Sequence, residues 1–267
     1  MTETSVAHFY DELADDYHLI YADWDAGIRR QGRALDTLIG QDRATVLDCS
    51  CGIGTQAIGL ALRGHRVTGT DISPRAAARA AREAARRNLS VRTAAADMRR
   101  LPFSDGRFDT VVCADNSLPH LLTEQDVRAA LAEMRRVLRP DGLLLVSTRH
   151  YDDLLRDRPA STPPQVHRNA DDADGADAAD GADGEERTVT FQLWHWHDDG
   201  EHYDLEHFQV LPADGDWRVK VRRTSYWALG RDRLAGLAAE AGFVDLKWQM
   251  PEETGFFQPL LVARAGE

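Results

Sequence analysis

The stretch Val46-Leu47-Asp48-Cys49-Ser50-Cys51-Gly52-Ile53-Gly54-Thr55-Gln56-Ala57 runs from apolar residues into an acid and then into two glycines one residue apart. Glycines after an apolar strand let the backbone approach a ligand closely, and the N-terminus of the helix that follows attracts an anion. The spacing Gly52-x-Gly54-x-x-Ala57 fits the loose dinucleotide pattern, which is weak evidence alone. Asp48 argues against a diphosphate, because a carboxylate four residues before Gly52, at the mouth of the loop, repels one. A cationic cofactor is favoured instead. S-adenosylmethionine carries a sulfonium and an ammonium, while its carboxylate can still use the loop N–H groups. Asp71, ending "RVTGTD", suits ribose hydroxyls in either cofactor class. "AADMRRLPF" sets Asp97 and Met98 where an adenine amino group could meet a carboxylate and an apolar side chain. Asp48, the glycines, Asp71 and Asp97 together are far more specific than the glycines alone.

Positioning these residues requires a strand before each of them. "TVLDC", "RVTGTD", "VRTAAAD", "FDTVVCAD" and "GLLLVSTR" read as strands alternating with helices. Ser73-Pro74 opens one helix as cap and first-turn residue, and Thr123 with Asp126 opens another. This alternation predicts an α/β fold with a doubly wound, mostly parallel sheet, whose ligands lie beyond the carboxyl ends of the strands. Upstream, residues 1–44 carry apolar and aromatic residues at helical spacing broken near Asp23 to Asp25, which predicts a cap of two helices. The core spans 45–150. From Tyr151 the alternation stops, and 151–228 reads as an insert: "RTVTFQLWHWH", "EHYDLEHFQVL" and "WRVKVRRTSYWAL" form a three-stranded antiparallel lid. Residues 169–186, acidic and without large apolar side chains, read as a disordered loop. A helix and two strands in 229–267 complete the core.

The 267 residues are enough to bury a full core, and the formal charge of −12 argues against affinity for phosphate backbones or anionic membrane surfaces. No apolar run reaches the length needed to span a bilayer, and the N-terminal segment lacks the pattern of a secretory signal. A cytoplasmic location is expected. Cys49, Cys51 and Cys113 fall in or beside strands, not in spaced pairs, and read as packing residues. "WHWH" with His202 and His207 invites a metal reading, and His195 and His197 share a strand face as two ligands would, but no carboxylate or cysteine stands at a recognisable spacing, and no metal is expected.

Through "VLDCSCGIGT", "GTDIS", "AADMRRLPF" and "FDTVVCADNSLPHL", residues Val46 to Arg149 resemble the class I S-adenosylmethionine-dependent methyltransferases. "CADNSLPHL" and "STRHYDDLL" resemble, more narrowly, the glycine and sarcosine N-methyltransferases, with stretches of the form N-S-x-x-H-L and x-R-x-Y-D. The resemblance implies a Rossmann-like core and the release of S-adenosylhomocysteine. It implies that Ser50, Gly52, Gly54, Asp71, Ile72, Asp97, Met98 and Asp115 surround the cofactor with Asp48. An N-terminal segment carrying Tyr10, Tyr17 and Tyr21 closes over it, with Tyr21 and Arg30, or its neighbour Arg29, facing the sulfonium and the methionine carboxylate. Asn116 contacts the substrate amine and Arg149 holds a substrate carboxylate. His120 either takes part or holds the loop over the cofactor, and Tyr151 and Tyr226 are candidates for hydroxyl contacts to the substrate, packing being the alternative.

The expected activity is N-methylation of a glycine-type amine: glycine, sarcosine, or an amino group of a secondary metabolite. Methyl transfer needs a neutral nucleophile and close approach, which positioning supplies without a dedicated base. Methylation of an oxygen in a small natural product, or cofactor binding without turnover, are the alternatives. The partner is a small molecule. Glu252 and Glu253 in "MPEETGFFQP" stand where a departure from glycine specificity would be read, as recognition elements for a cationic acceptor.

Overall fold

The computed structural model describes residues 5–168, 187–213 and 215–266. The acidic stretch 169–186, read as a disordered loop, lies outside them. The N-terminal cap consists of α1 (Val6–Leu13), a 3-10 turn (Tyr17–Ile20) and α2 (Trp24–Ile39). Ser5 and Asp23 cap the helices, accepting hydrogen bonds from the N–H groups of His8 (3.2 Å) and Ala26 (2.7 Å). The break expected near Asp23 to Asp25 is therefore a helix start. α2 lies so close to the next helix that a Cβ on Gly32 would stand 2.5 Å from the backbone of Gly59, a crossing that needs glycine on both sides.

The core alternates β1 (Thr45–Asp48), α3 (Thr55–Leu62), β2 (Arg66–Asp71), α4 (Pro74–Arg86), β3 (Arg92–Ala95), β4 (Phe108–Cys113), α5 (Glu124–Val137) and β5 (Leu138–Ser147). After α6 (Tyr151–Asp157) the chain leaves the sheet through β6 (Gln165–Arg168), β7 (Arg187–Trp196), β8 (His202–Ala213) and β9 (Asp216–Trp227), and returns by α7 (Arg231–Glu240), β10 (Phe243–Gln249), α8 (Pro251–Thr254) and β11 (Leu260–Ala265). Among the described residues the main sheet has the order β10-β11-β5-β4-β1-β2-β3. β1 to β5 are parallel; β11 and β10 finish the sheet antiparallel. Two apolar layers cover its faces. Phe108, Leu131, Met134 and Leu234 lie on the side of α5 and α7, and Leu35, Val46, Leu60 and Ala80 on the side of α2, α3 and α4. The order reverses between β1 and β4, so a crevice opens where the ends of these two strands diverge. Asp48 and Asp71 end the strands beside it, and Asp115 follows β4.

Among the described residues the insert is an antiparallel sheet of four strands in the order β6-β7-β8-β9. The three expected strands are present, and β6 joins them at the edge of β7 with Val166 opposite Val189. Only four residues long and preceded by Pro163-Pro164, β6 shows no alternation from which to be read. Alternation in β7 to β9 turns Gln192, Trp194, Leu205, His207, Arg222 and Tyr226 toward the cap and core. No helix among the described residues is long and apolar enough to cross a membrane.

Candidate functional site

A cavity of about 390 Å³ opens at the carboxyl ends of β1 to β4, walled by Ser50, Gly52, Asp71, Ile72, Asp97, Met98, Asp115 and His120 and roofed by Tyr10 and Tyr17 of the cap. The glycine loop is held by Asp71, whose carboxylate accepts from the N–H groups of Gly52 (2.8 Å) and Ser73 (2.9 Å). Burial pushes Asp71 up to about 6, against the pull of those two N–H groups. Asp115 and Asn116 both adopt left-handed backbone, with φ of 56° and 62°. Asp and Asn are the non-glycine residues that adopt this conformation most readily, and here it turns the chain sharply at the end of β4. Tyr17 and Tyr21 donate their hydroxyls to Asp115 Oδ2 at 3.1 and 3.5 Å, and burial raises the Asp115 carboxyl.

A second cavity, of about 90 Å³, adjoins the first and shares Tyr10, Tyr17 and Asp115 with it. Its other walls include Asn116, Arg149, Gln192, His207, Tyr226 and Gln258. Asn116 is fixed at both ends of its amide: Nδ2 donates to the Tyr151 hydroxyl (3.0 Å) and Oδ1 accepts from the Arg149 N–H (3.1 Å). The Arg149 guanidinium lies 4.9 Å from the Trp194 ring centroid and 5.1 Å from that of Tyr226, and donates to the Tyr203 hydroxyl at 2.9 Å. Among the described residues it makes no ion pair with a carboxylate. His120 seals the join of cap and lid. Its Nδ1 faces the Ser225 carbonyl (3.2 Å), which makes Nδ1 the donor and leaves Nε2 to accept from the Tyr10 hydroxyl (2.8 Å). The ring packs 4.1 Å from Tyr226, and burial pushes its pKa down to about 3, so it stays neutral.

Most of the expected residues converge on these two cavities, and the others lie elsewhere. Arg30 and Arg29 are exposed on the outer face of α2, outside both cavities, because the helical period turns Gln31 inward instead, where it accepts from Gln56 at 2.8 Å. Asp48 is fully buried beneath the loop, not at the cavity wall; it accepts from the Ser50 N–H at 3.3 Å, and its Oδ2 has no hydrogen-bond partner. Gly54 is likewise structural: at φ 101° it starts α3, and a Cβ there would meet Ile58 Cδ1 at 2.9 Å. Tyr151 is buried behind Asn116 and positions it without lining either cavity. Tyr21 lines neither cavity but reaches Asp115. Asp97 does line the large cavity, with its carboxylate already gripped by Arg99 at 2.6–3.1 Å. Glu253 caps α8 by accepting from the Met250 N–H at 2.8 Å, and Glu252 is exposed beside it. Sequence reasoning passed over Gln192 and weighed His207 only as a metal ligand. The signal was the alternation itself: "QLWHWH" puts Gln192 in phase with the inward tryptophans, and His195 and His197 outward against Glu206 and Asp204.

The donor set fits S-adenosylmethionine better than a diphosphate cofactor. The large cavity is lined by Asp71, Asp97, Asp115 and Asp126, against one arginine, Arg99, which is paired with Asp97 and Asp126. Residues 46–142 match the family model described as a methyltransferase domain. A glycine/sarcosine N-methyltransferase of Parasynechococcus marenigrum is 39% identical over 155 residues, 55% of this chain and 54% of that protein. The aligned stretch thus spans about half the length of that curated relative; others carry the name demethylmenaquinone methyltransferase. The solved CcbJ methyltransferase of Streptomyces caelestis matches 97% of this chain and 98% of its own with a TM-score of 0.72 at 19% identity. CalS10, an S-adenosylmethionine-bound amino pentose methyltransferase of Micromonospora echinaspora, matches 94% and 95% with a TM-score of 0.69 at 21% identity. At such identities the likeness speaks for the fold.

Proposed function

We propose, from the premise that this chain carries a class I S-adenosylmethionine-dependent methyltransferase core, that it methylates the nitrogen of a small glycine-type amine. The observation that carries the reading is Arg149, a cation between two aromatic rings with no ion pair among the described residues, in a small cavity that adjoins the cofactor cavity. Such a guanidinium is a receptor for a carboxylate, which it can hold through two parallel hydrogen bonds. When bound, S-adenosylmethionine supplies an electrophilic methyl group on a sulfonium.

In this reading Gly52, Asp71, Ile72, Asp97 and Met98 hold the cofactor. Asp115, with Tyr17 and Tyr21 donating to it, sets a negative group beside the positively charged end of that ligand. Arg149 fixes the acceptor by its carboxylate, and Asn116 Oδ1 accepts from the amine, orienting its lone pair away from Oδ1. Burial in this cavity disfavours the ammonium form, so the amine leaves its proton with water as it enters, and no dedicated base is needed. Tyr10, His120 and Tyr226 keep water out at the seam of cap and lid. Acceleration comes from holding the two reactants in contact.

The test is turnover of glycine, sarcosine and glycine amide side by side, with Arg149→Lys as the variant. Replacing the planar fork by a point charge should lower kcat/KM for glycine by roughly 10- to 100-fold, the worth of a charge-assisted hydrogen bond, with cofactor affinity nearly unchanged. Equal rates for glycine and its amide would remove the carboxylate role of Arg149. No turnover of any amine would remove N-methylation.

A further inference from the structure

We infer that His207 is a specificity-determining residue of the acceptor cavity, its Nε2–H binding one oxygen of the acceptor's carboxylate while Arg149 binds the other. The inference rests on the functional reading above and extends it to a substrate class: a small α-amino acid with a free carboxylate.

His207 stands on the inner face of β8, opposite Gln192 on β7 and Arg222 on β9, and lines the small cavity. It is 7% exposed, and its Nε2 has no hydrogen-bond partner. A buried polar atom without a partner is costly, and of the atoms left so among the described residues this one belongs to a side chain that lines the small cavity. Other histidines of the lid are supplied: His195 faces Glu206 at 3.7 Å, His197 faces Asp204 at 3.3 Å, and His202 holds Asp199 at 2.7 Å. Those three meet acids of the lid itself; His207 instead lines the small cavity.

The charges around the cavity decide what completes that imidazole. Arg222 lies beside His207 and Arg149 is close enough to act on it; with burial they push its pKa down to about 4, so the ring is neutral and carries one N–H. Arg222 is already committed to Asp16, to the Glu12 carbonyl and to Gln209. Arg149 donates to the Tyr203 hydroxyl and to Gln192 Oε1 but meets no carboxylate among the described residues, so this wall of the cavity favours an anion. Asp115 and the Asn116 amide oxygen are the acceptors of the same cavity. A ligand with an anionic and an amino end matches both sets. The volume sets its size: about 90 Å³, against about 390 Å³ for the cofactor cavity, suits a molecule of a few heavy atoms. A site built to donate to a carboxylate rejects an amide or ester strongly, because its own donors are then left unpaired.

The test compares wild type, His207→Leu and His207→Gln in three measurements: KM and kcat for glycine and glycine amide, calorimetric binding of acetate to the protein loaded with S-adenosylhomocysteine, and affinity for S-adenosylmethionine. His207→Leu should raise the KM for glycine and weaken acetate binding by about tenfold or more, the effect of one hydrogen bond to a charged group. The kcat should change less than KM, and the cofactor dissociation constant and the KM for glycine amide should stay within about twofold of wild type. His207→Gln, which keeps a donor, should recover most of the loss. If His207→Leu does not fold, the wild type labelled with 15N-histidine gives the same answer: acetate should shift the ring resonance that is missing from His207→Gln. Wild-type protein that binds no acetate, unchanged glycine KM in folded His207→Leu, or an unmoved His207 resonance overturns the inference. Acetate binding that depends on His207 in a protein that methylates no amine keeps the inference and removes the N-methylation reading instead.

Discussion

Three carboxylates sit at the mouth of the sheet, and what each is bonded to sets its behaviour. Asp71 accepts from two backbone N–H groups and Asp115 from two tyrosine hydroxyls, whereas Asp48 accepts one backbone N–H and keeps an unpartnered oxygen. Burial pushes Asp48 from its ordinary 3.8 up to about 7. A carboxyl raised in this way binds its proton more tightly when folded, so its contribution to stability is full below 3.8 and is lost as pH rises through about 7. His120 and His207, pushed down to about 3 and about 4, act with the opposite sign below their ordinary 6.5, so Asp48 dominates above pH 6.5, where Asp71, at about 6, adds a smaller slope of the same sign. The unliganded protein should lose roughly 1 kcal/mol between pH 6.5 and pH 8, and Asp48→Asn should remove most of that slope. Urea denaturation of both proteins at three pH values checks it; parallel slopes would mean that Asp48 titrates as an ordinary carboxyl. At Asp71 the expectation concerns binding. Asp71→Ala should weaken S-adenosylmethionine by about 1.5–3 kcal/mol, the worth of a charge-assisted contact, with a native circular dichroism spectrum. An unchanged dissociation constant would take Asp71 out of the cofactor site.

Among elements, the contact between cap and lid is the one on which closure depends. Asp16, just before the 3-10 turn, receives Lys220 at 2.5 Å and Arg222 at 2.6 Å from β9, and its carbonyl accepts from Gln209 of β8 at 3.2 Å. Burial would raise the Asp16 carboxyl, but the hydrogen bonds from Lys220 and Arg222 prevail and hold it below its usual range. Arg222 is 6% exposed, so Asp16→Ala leaves a buried guanidinium without its counter-ion, a change that costs about 3–5 kcal/mol. Loosening this joint frees Tyr10 and Tyr17 from the cavity roof. The variant should release bound cofactor faster and be cut earlier by protease within the first twenty or so residues, and stopped-flow displacement with timed proteolysis would detect both; a release rate equal to wild type would show that the joint does not govern closure. None of this pairing was legible in the sequence, since Asp16 and Arg222 sit in unrelated segments. The elements themselves were: cap residues Ser73 and Thr123 mark real helix starts, each accepting from an N–H three residues on. β6 escaped because four residues after two prolines carry no period, and Arg30 was misplaced because the motif fixed a residue type while the helical phase fixed its direction.

At the scale of the whole molecule, the two cavities differ in how local they are. The cofactor cavity is built mainly by loops that each follow a strand of one continuous segment, so "VLDCSCGIGT" and "GTDIS" were enough to read it. The smaller cavity takes Tyr10 and Tyr17 from the cap, Asn116 and Arg149 from the core, and Gln192, His207 and Tyr226 from the lid, and only folding brings these together. The charge of the molecule follows the same division. Eight acids and no base of the formal −12 fall in residues 169–186, but within the larger cavity four aspartates stand against one paired arginine, so the local field favours a cation. That field depends on pH through Asp71, which burial sets at about 6. A ligand that needs Asp71 ionised must displace its proton below that value, so affinity should be level from pH 7 to 8 and fall by up to about tenfold per unit as pH drops below about 6. Calorimetry of S-adenosylmethionine binding in two buffers of different ionisation enthalpy should show proton release at pH 5.5 and almost none at pH 7.5, with NAD giving no heat at either. Asp71→Asn should bind more weakly and lose the proton release together with the pH dependence. Affinity that is constant from pH 5 to 8, or proton release that survives in Asp71→Asn, would place the linked proton on another group and remove Asp71 as the acid that selects the charged cofactor.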